Sequence, residues 1–462
     1  MKAMMTMNPA NSGDGREDLA SSRAAATAIV ERLRRAGYEA LFVGGCVRDV
    51  LRGIEPADYD IATSARPEQV RALFRRTIPV GAAFGVVLVV EGGRRYEVAT
   101  FRTEADYGDG RHPSQVAYAK AEEDARRRDF TINGLLLDPD TGRIIDHVGG
   151  RDDVARRLVR TIGEPELRFA EDRLRMLRAV RFAANLDFTI HPATLAAIRN
   201  HADAICHISF ERISDELTKI LTAGAARRGM ELLADTGLLA VILPEVDRLR
   251  GLAQPERVHP EGDVWEHILG MLTHMPAAAD GHVDARLAWA VVLHDVGKAV
   301  TRTEDVSGVH FYGHVRRGEE IASSLLQRLK FSAADMATIR ALIHEHMTFM
   351  HVRQMRPGRL KRFLRMPDFQ LHLELHRLDC LGSHGMLDNY EYCRKKLEEL
   401  TLEELHPPRL LSGDDLIAMG LTPGPRFKNM LRAVEEAQLN DEIATKEDAR
   451  EFLSALALRE KK

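Results

Sequence analysis

The sequence has few cysteines and lacks a long apolar run. Its four cysteines, Cys46, Cys206, Cys380 and Cys393, are scattered without metal-site spacing, so we expect reduced, unpaired thiols. No apolar stretch approaches about 18 residues, and the N-terminus lacks the apolar segment of a signal peptide. These absences predict a cytoplasmic protein with no membrane partner.

The chain also lacks a strong charge of one sign. Its 65 basic and 69 acidic residues give a net charge of -4, which argues against indiscriminate coating of nucleic acid but allows local basic patches. The length of 462 residues suggests about three domains. Residues 1–22 are small, polar and aperiodic, which predicts a disordered tail before a helix at 24–36.

The first candidate site lies in the stretch 41–63, LFVGGCVRDVLRGIEPADYDIAT. A short apolar strand, a glycine turn at Gly44-Gly45 and a helix carrying Arg48 would present free amides and a guanidinium to a triphosphate, with Gly45 as the candidate contact. Asp58 and Asp60 then lead into a second strand, where residues i and i+2 share a face. Two such carboxylates repel each other without a cation, and oxygen ligands suit Mg²⁺ held with substrate phosphates.

Each motif alone has a simpler interpretation, because a glycine pair can be an ordinary turn and Asp-x-Asp a solvated loop. Together, GGCVRD and DYDIAT resemble the first motif of the class II nucleotidyltransferases of the polymerase β superfamily. That group contains bacterial tRNA CCA-adding enzymes and poly(A) polymerases. The resemblance implies an α/β head with a small mixed sheet over residues 23–150 and catalytic Mg²⁺ on Asp58 and Asp60.

Three further features of the head are candidates. Glu97, on a predicted strand, is either a third metal ligand or a salt-bridged surface residue. DGRHP, at 109–113, resembles the flexible loop of family members that add the terminal adenosine. RRDFTIN, at 127–133, resembles a motif in which an arginine, here Arg128, contacts the nucleotide. Asp129 is a weaker catalytic candidate, and the arginine run could also be an exposed helix face.

Residues 151–245 form a predicted helical neck that carries a charged stripe. Its members recur at about every third residue of one predicted helix: Asp172, Arg175, Arg178 and Arg181. The stripe could be the solvent-exposed face of an amphipathic helix, but EDRLRMLRAVRF resembles the family motif that selects the nucleobase. A carboxylate beside a guanidinium complements the amino group and ring nitrogen shared by cytosine and adenine. The resemblance therefore implies that Asp172 and Arg175 select CTP and ATP.

Residues 246–385 carry widely spaced histidines and aspartates that resemble an HD metal-dependent phosphohydrolase domain. The resemblance implies one divalent metal, such as Ni²⁺, Mn²⁺ or Co²⁺, on the set His267, His294, Asp295 and Asp379. His314 and His344 are expected extensions of this set. Some relatives hydrolyse phosphoesters there and others keep the domain as an RNA-binding body, so both interpretations stay open.

A basic tract and a helical tail follow. The tract RQMRPGRLKRFLR contains six basic residues and no acidic ones, Arg353, Arg356, Arg359, Lys361, Arg362 and Arg365. It predicts a surface for an RNA backbone, or else an ordinary exposed helix. Residues 386–462 are predicted to form the helical C-terminal tail.

The sequence as a whole predicts an α/β head followed by an all-α neck, an HD-containing body and a tail. The function that the resemblance implies is addition of CCA to tRNA from CTP and ATP. A-only addition and poly(A) synthesis share the same motifs, although VGAAFG, at 80–85, replaces the GRRF-type sequence of bacterial poly(A) polymerases. Phosphohydrolysis with a degenerate head is the alternative from another class, and the intact aspartate pair argues against it.

Overall fold

A computed structural model describes residues 14–78, 85–105, 115–255, 259–276 and 283–459. It divides into one unit of residues 1–220 and 228–242 and a second of 221–227 and 243–462. The first contains the predicted head and neck, and the second contains the HD region and the C-terminal helices. Residues 14–22 lie in the first helix, which corrects the predicted disorder of 1–22 for that part. The segments 79–84 and 106–114, which include most of VGAAFG and all of DGRHP, lie outside the described residues.

The head is built on a mixed sheet with helices around it. Its elements are α1 Asp14–Arg35, β1 Ala40–Val43, α2 Gly45–Leu51, β2 Asp60–Thr63, α3 Pro67–Leu73, β3 Thr77–Ile78, β4 Val86–Glu91, β5 Arg94–Thr100, β6 Arg102–Ala105, β7 Gln115–Tyr118, α4 Ala121–Arg126, β8 Leu135–Leu137, β9 Ile144–Asp146, α5 Gly150–Ala155 and β10 Leu158–Val159. Seven strands pair in the order β3-β4-β5-β2-β1-β8-β9. Only the β2–β5 pair among them is parallel, so the predicted mixed sheet is confirmed.

The register of β1 and β2 brings the glycine turn to the aspartates. All four residues of β1 are buried, as expected for a central strand covered on both faces. Val43 pairs with Asp60 across the antiparallel ladder, so the turn after β1 lies beside the start of β2. Asp58 precedes β2 rather than lying on it. Tyr59 is nevertheless buried between two exposed aspartates, so the two carboxylates share a side as predicted.

The neck is helical apart from a two-residue strand. Its elements are α6 Pro165–Glu171, α7 Leu174–Leu186, β11 Thr189–Ile190, α8 Pro192–His201, α9 Phe210–Thr222, α10 Ala226–Asp235 and α11 Leu238–Ile242. The single helix predicted through Asp172 is wrong, because α6 ends before it. Asp172 is extended, with φ -144° and ψ 105°, and its carboxylate accepts a hydrogen bond from the Leu174 amide. It therefore caps the start of α7, whose buried face includes Leu177 and Val180.

The second unit is helical with one short hairpin. Its elements are α12 Pro244–Asp247, α13 Val264–Thr273, α14 Ala285–Leu293, α15 Lys298–Thr301, β12 Thr303–Asp305, β13 Gly308–His310, α16 His314–Arg328, α17 Ala333–Glu345, α18 Pro357–Leu364, α19 Phe369–Gly382, α20 Asp388–Glu399, α21 Leu402–Leu405, α22 Gly413–Ala418, α23 Arg426–Leu439 and α24 Lys446–Arg459. Leu416, Val434 and Leu453 belong to a separate apolar core at the C-terminus. None of the described helices combines the length and the apolar character that crossing a bilayer requires.

Candidate functional site

Three carboxylates crowd together on β5 and at the start of β2, two neighbouring interior strands of the head sheet. Asp60 begins β2, and Glu97 lies on the parallel neighbour β5, next to the Ile61–Val98 pair. Partial burial raises the pKa of Asp60 to about 6, together with the charges of Glu97 and Asp58 and against the opposing charge of Arg128. Like charges this close, with only oxygen donors, form a set that fits Mg²⁺. Glu97 is thus the third acidic residue beside the predicted pair.

Gly44 provides the close approach at this site, and the sequence analysis had singled out Gly45 instead. Gly44 has φ +76°, and a Cβ there would lie 3.0 Å from Arg128 Nη1 and 3.9 Å from Asp60 Oδ2. Arg128 therefore lies over the glycine turn as predicted. Its guanidinium is held by Asp124, with Nη2 3.2 Å from Oδ2. A non-glycine residue at Gly44 would be strained in its backbone and would displace the arginine.

Arg48 is buried inside the head rather than extended into solvent. Its Nη1 donates to Asn133 Oδ1 at 3.0 Å, and Asn133 Nδ2 donates to Asp129 Oδ1 at 3.1 Å. The other oxygen of Asp129 accepts from Arg178 Nε at 2.8 Å. Burial would raise the pKa of Asp129, but Arg178 and the hydrogen bonds from Asn133 and the Phe130 amide lower it to about 2. Asp129 is therefore committed to an ion pair, which argues against it as a metal ligand.

The arginines of the neck are held in place by acidic partners. Arg175 Nη1 donates to the Arg168 carbonyl at 2.9 Å and to Glu171 at 2.6 Å, and Arg181 Nε donates to Glu216 at 2.6 Å. The Arg175 side chain is only 9% exposed and that of Arg181 17%. The charged stripe is therefore not a solvent-exposed helix face.

Asp172 and Arg175 do not pair with each other. Asp172 Oδ2 instead accepts from Arg212 Nη2 at 2.9 Å, while Arg175 is occupied by Glu171 and a carbonyl. Separate partners leave each side chain fixed in its own position. The structure thus places all four predicted neck residues in one polar region, with Asp172 ahead of the helix.

The second unit brings the predicted HD residues together. His267 Nε2 lies 3.1 Å from Asp379 Oδ1, and His294 Nε2 lies 3.2 Å from Asp295 Oδ2. Burial alone would raise the pKa of both aspartates, yet the neighbouring cations hold both pKa values well below the usual range. For Asp295 these cations are led by Lys298 and for Asp379 by His267.

The imidazoles of this centre have the geometry of metal ligands. Within the described ranges, the buried Nε2 atoms of His267, His294 and His314 make no hydrogen bond of good geometry, although carboxylate oxygens of Asp379 and Asp295 lie 3.1–3.6 Å away. Buried ring nitrogens are rarely left unsatisfied, and convergent imidazoles and carboxylates suit a divalent transition metal. His267, His294 and Asp295 have ligand atoms within 4.8 Å of one another, so the residues present fit such an ion.

His346, rather than His344, completes the cluster, which corrects the sequence-based expectation. His346 is buried and its Nε2 lies 3.9 Å from Asp295 Oδ1, whereas the His344 side chain is 61% exposed and contacts Glu319. His314 Nε2, as predicted, lies 3.6 Å from Asp295 Oδ1. The cluster opens into a cavity of about 340 Å³ whose lining includes Lys298, Tyr312 and Met350.

Family models match three segments of the chain. A poly(A) polymerase head domain matches residues 40–160, a probable RNA- and SrmB-binding site of polymerase A matches 187–249, and an HD domain matches 264–381. These segments coincide with the nucleotidyltransferase-like head, part of the neck and the histidine centre.

Among curated relatives, the chain is 50% identical over 218 residues to a CCA-adding enzyme of Geobacillus stearothermophilus. That alignment covers 47% of this chain and 54% of the relative, so the chain spans about half the length of the first relatives it matches. It is also 36% identical to an A-adding tRNA nucleotidyltransferase of Deinococcus radiodurans, over 90% of this chain and 95% of the relative. The chain belongs to the tRNA nucleotidyltransferase family.

Solved structures of tRNA nucleotidyltransferases share the fold. The Bacillus stearothermophilus CCA-adding enzyme in complex with CTP is 32% identical, with a TM-score of 0.71 over 95% of this chain and 98% of that chain. The Thermotoga maritima CCA-adding enzyme complexed with tRNA is 18% identical, with a TM-score of 0.58 over 96% of this chain and 98% of that chain. The latter likeness supports the fold alone. Nucleotidyltransferase heads and HD domains use divalent metals, in agreement with both carboxylate sites.

Acidic residues elsewhere in the second unit pair with most of the basic tract. Lys361 is buried and its Nζ donates to Asp441 at 3.0 Å, while acidic residues also pair with Arg353, Arg362 and Arg365. Arg356 and Arg359 are the members of the tract that are exposed without a described ion pair. Ion pairs therefore reduce the net positive charge at four of the six members, and RNA binding by the tract stays a prediction.

Sequence reasoning missed several residues that complete these sites. They are Asp124 and Asn133 in the head, and His259 and Glu261 before α13. Glu261 Oε1 lies 2.9 Å from His267 Nδ1 and 2.8 Å from His259 Nδ1. A His-x-Glu pair a few residues ahead of the first predicted HD histidine was a usable local signal. Asn133 gave none, because a lone asparagine has no characteristic spacing.

Proposed function

We propose that the protein completes the 3′ ends of tRNA with CCA, taking CTP and ATP as substrates without a nucleic-acid template. The observation that carries the proposal is the crowding of Asp58, Asp60 and Glu97 beside Gly44 and Arg128. It is supported by likeness over nearly the whole chain to a CCA-adding enzyme in complex with CTP.

The reaction joins the RNA 3′-oxygen to the α-phosphorus of the nucleotide and breaks the bond to pyrophosphate. Asp58 and Asp60, with Glu97, would hold Mg²⁺, which lowers the pKa of the 3′-hydroxyl and neutralises charge on the leaving group. Arg128 and the amides of the glycine turn bind the triphosphate. Arg48 is buried beside the glycine turn, where its Nε and Nη2 pair with Asp49 and its Nη1 donates to Asn133, so the side chain is already ordered before a nucleotide binds.

Base selection is assigned to Asp172 and Arg175. A carboxylate accepts from the exocyclic amino group, and a guanidinium donates to the adjacent ring nitrogen, which matches cytosine and adenine and mismatches uracil and guanine. Arg212 and Glu171 hold the two side chains. A recognition group that is already ordered loses less entropy when the base binds.

The test is a product ladder from three tRNA transcripts that end before CCA, after C and after CC. Each transcript is incubated with CTP, with ATP and with both. A CCA-adding enzyme extends all three transcripts to the same end and stops there. Extension of only the CC-ended transcript with ATP alone, or of none, contradicts the proposal.

A-only addition is the second candidate function, because the Deinococcus radiodurans relative that aligns over 95% of its own length is an A-adding enzyme. The same ladder separates the two activities, since an A-adding enzyme leaves the transcript that ends before CCA unchanged with CTP. Long A tracts on any transcript would indicate poly(A) synthesis instead.

We further propose that the histidine centre of the second unit hydrolyses phosphoesters. The unsatisfied Nε2 atoms of His267, His294 and His314 support a divalent ion there, which would supply a Lewis acid and an activated water. The test compares hydrolysis of a 2′,3′-cyclic nucleotide and of a phosphomonoester with Mn²⁺, Ni²⁺ and Co²⁺. If the pure wild-type protein hydrolyses neither substrate, the histidine centre has a structural role. The cytoplasmic location stays a prediction from sequence.

A further inference from the structure

Asn133 lies at the junction between two sets of charged side chains in the first unit. On one side is Arg48, from α2 in the head, whose Nε and Nη2 also pair with Asp49. On the other is Asp129, which is paired with Arg178 of α7 in the neck. Asn133, Asp129 and Arg48 are each at most 9% exposed. Any change in this chain of contacts therefore leaves a buried polar group unsatisfied.

The amide of Asn133 can make both contacts because it carries an acceptor and a donor on separate atoms. A guanidinium donates and never accepts, and an ionised carboxylate accepts and never donates. The group between Arg48 and Asp129 must therefore accept from the first and donate to the second, as the carbonyl and amino groups of Asn133 do. The two partners fix the orientation of the amide, because the flipped amide would face each partner with the wrong group.

Phe182 adds a second link between the same groups. The guanidinium carbon of Arg48 lies 5.8 Å from the centre of its ring, that of Arg178 5.4 Å and that of Arg181 4.3 Å. Three guanidinium groups around one phenyl ring would repel one another without neutralisation, which Asp129 provides for Arg178 and Glu216 for Arg181. Each arginine also gains from the negative face of the ring.

We infer that Asn133 is a positioning residue that couples triphosphate binding to nucleobase selection. Through it, the placement of Arg48 and the placement of the Asp129–Arg178 pair on the base-selecting helix depend on each other. The inference rests on the proposed nucleotidyl transfer, because that reaction makes nucleoside triphosphates the ligands. Asn133 itself would contact neither the metal nor the base. Losing Asn133 should affect both the affinity for nucleotides and the choice among them.

The experiment measures equilibrium binding of CTP and UTP in Mg²⁺ without RNA, for wild type, Asn133→Ala, Asn133→Asp and Thr131→Val. Asn133→Asp keeps the acceptor for Arg48 but sets a carboxylate against Asp129. Thr131→Val is the matched control, because it removes a buried hydrogen bond of 2.6 Å to Asp153 from the same short helix, Thr131–Asn133, outside the coupled chain.

We expect Asn133→Ala to weaken CTP binding by about ten-fold and to reduce the preference for CTP over UTP by about ten-fold, as the loss of a buried hydrogen bond to a charged group implies. Asn133→Asp should show the same loss of preference, and Thr131→Val should keep the wild-type preference. Equal weakening of CTP and UTP binding overturns the coupling, as does an unchanged preference in Asn133→Asp. If Asn133→Ala does not fold, Asn133→Asp and the control decide the question.

The binding of CTP and UTP without RNA can be measured whether or not the protein adds CCA to tRNA. If the wild-type protein extends no RNA but prefers CTP to UTP, the proposed function fails while the coupling is still measured. If wild type transfers nucleotides and the variants keep its preference, the proposed function stands and the coupling fails.

Discussion

The carboxylates of the head and those of the histidine centre are the same chemical group in opposite electrostatic settings. Partial burial and the charges of Glu97 and Asp58 raise the pKa of Asp60 to about 6, against the opposing charge of Arg128. Around Asp295 and Asp379 the neighbours are imidazoles and Lys298, and their pKa values are lowered well below the ordinary range. The head aspartates therefore repel one another until a cation binds, whereas the HD aspartates are already compensated by protein groups.

This contrast agrees with the two kinds of metal proposed above. Hard Mg²⁺ needs an all-oxygen set that keeps several waters and shares the substrate phosphates, which suits the exposed carboxylates of the head. Imidazole must lose its proton before it binds a transition metal, so the metal takes the place of a positive charge. The aspartates of the histidine centre are accordingly buried beside imidazoles and Lys298, which stabilise the carboxylates when no metal is bound.

The largest expected effect is the loss of transfer when a head aspartate is removed. Asp58→Ala or Asp60→Ala should lower nucleotide addition by about a thousand-fold or more, because the groups that hold the catalytic cations are gone. The measurement is single-turnover addition to a tRNA transcript, with His294→Ala as the matched control. Near-normal transfer in either aspartate variant would refute the assignment of the active site.

The second prediction removes the histidine centre. His294→Ala with Asp295→Asn should leave nucleotide addition within about two-fold of wild type, because the histidine centre and the head carboxylates belong to separate compact units and share no ligand residue. The same protein should lose tight binding of Mn²⁺ or Ni²⁺, measured by titration calorimetry. A parallel loss of transfer would mean that the two carboxylate sites depend on each other.

A smaller change is expected from Glu261, which contacts the ring nitrogen of His267 that faces away from Asp379. A carboxylate in that position fixes the tautomer of a metal-binding histidine, and its loss commonly costs about 10–100-fold in metal affinity. Glu261→Gln should therefore weaken Mn²⁺ binding in that range. The exposed Glu304→Gln is the control, and equal affinities in both variants would remove Glu261 from the site.

A structural feature of this protein could be predicted from the sequence when the residues that cause it lie within one short segment. The strand, turn and strand at 40–63 were predicted correctly because Gly44, Asp58 and Asp60 act within one short segment. The break before α7 had a local cause too, since an aspartate two residues ahead of a helix is a capping signal. The regular spacing of the charged residues nevertheless led to the prediction of one helix through Asp172.

Other features depend on residues far apart in the chain. Lys361 is neutralised by Asp441, 80 positions away, so the basic tract looked free of acids when only its own segment was considered. The choice between His344 and His346 depends on where α17 ends and the short helix His346–Gln354 begins. That turn of the backbone aims one histidine inward and the other at solvent. Composition and spacing contain no information on either point.

The smallest effect is on stability, and it tests the electrostatic contrast directly with two substitutions in the head. Asp60 has a raised pKa in the folded state, so the folded protein holds its proton more tightly than the unfolded chain does. Ionising it therefore costs stability as the pH rises from about 4 through about 6. Asp60→Asn, which stays neutral, should melt a few degrees higher than wild type above pH 6 in the absence of Mg²⁺, and the difference should vanish near pH 4.

Asp129 should give the opposite result, because Arg178 and Asn133 lower its pKa to about 2. Its carboxylate contributes stability that is present above about pH 4 and lost as the pH falls toward 2, a contribution on the order of 2 kcal/mol. Asp129→Asn should therefore melt several degrees below wild type at pH 7, and the gap should narrow on acidification. Melting curves at several pH values decide the matter. If both asparagine variants shift the melting temperature in the same direction at pH 7, the two aspartates do not occupy opposite electrostatic environments.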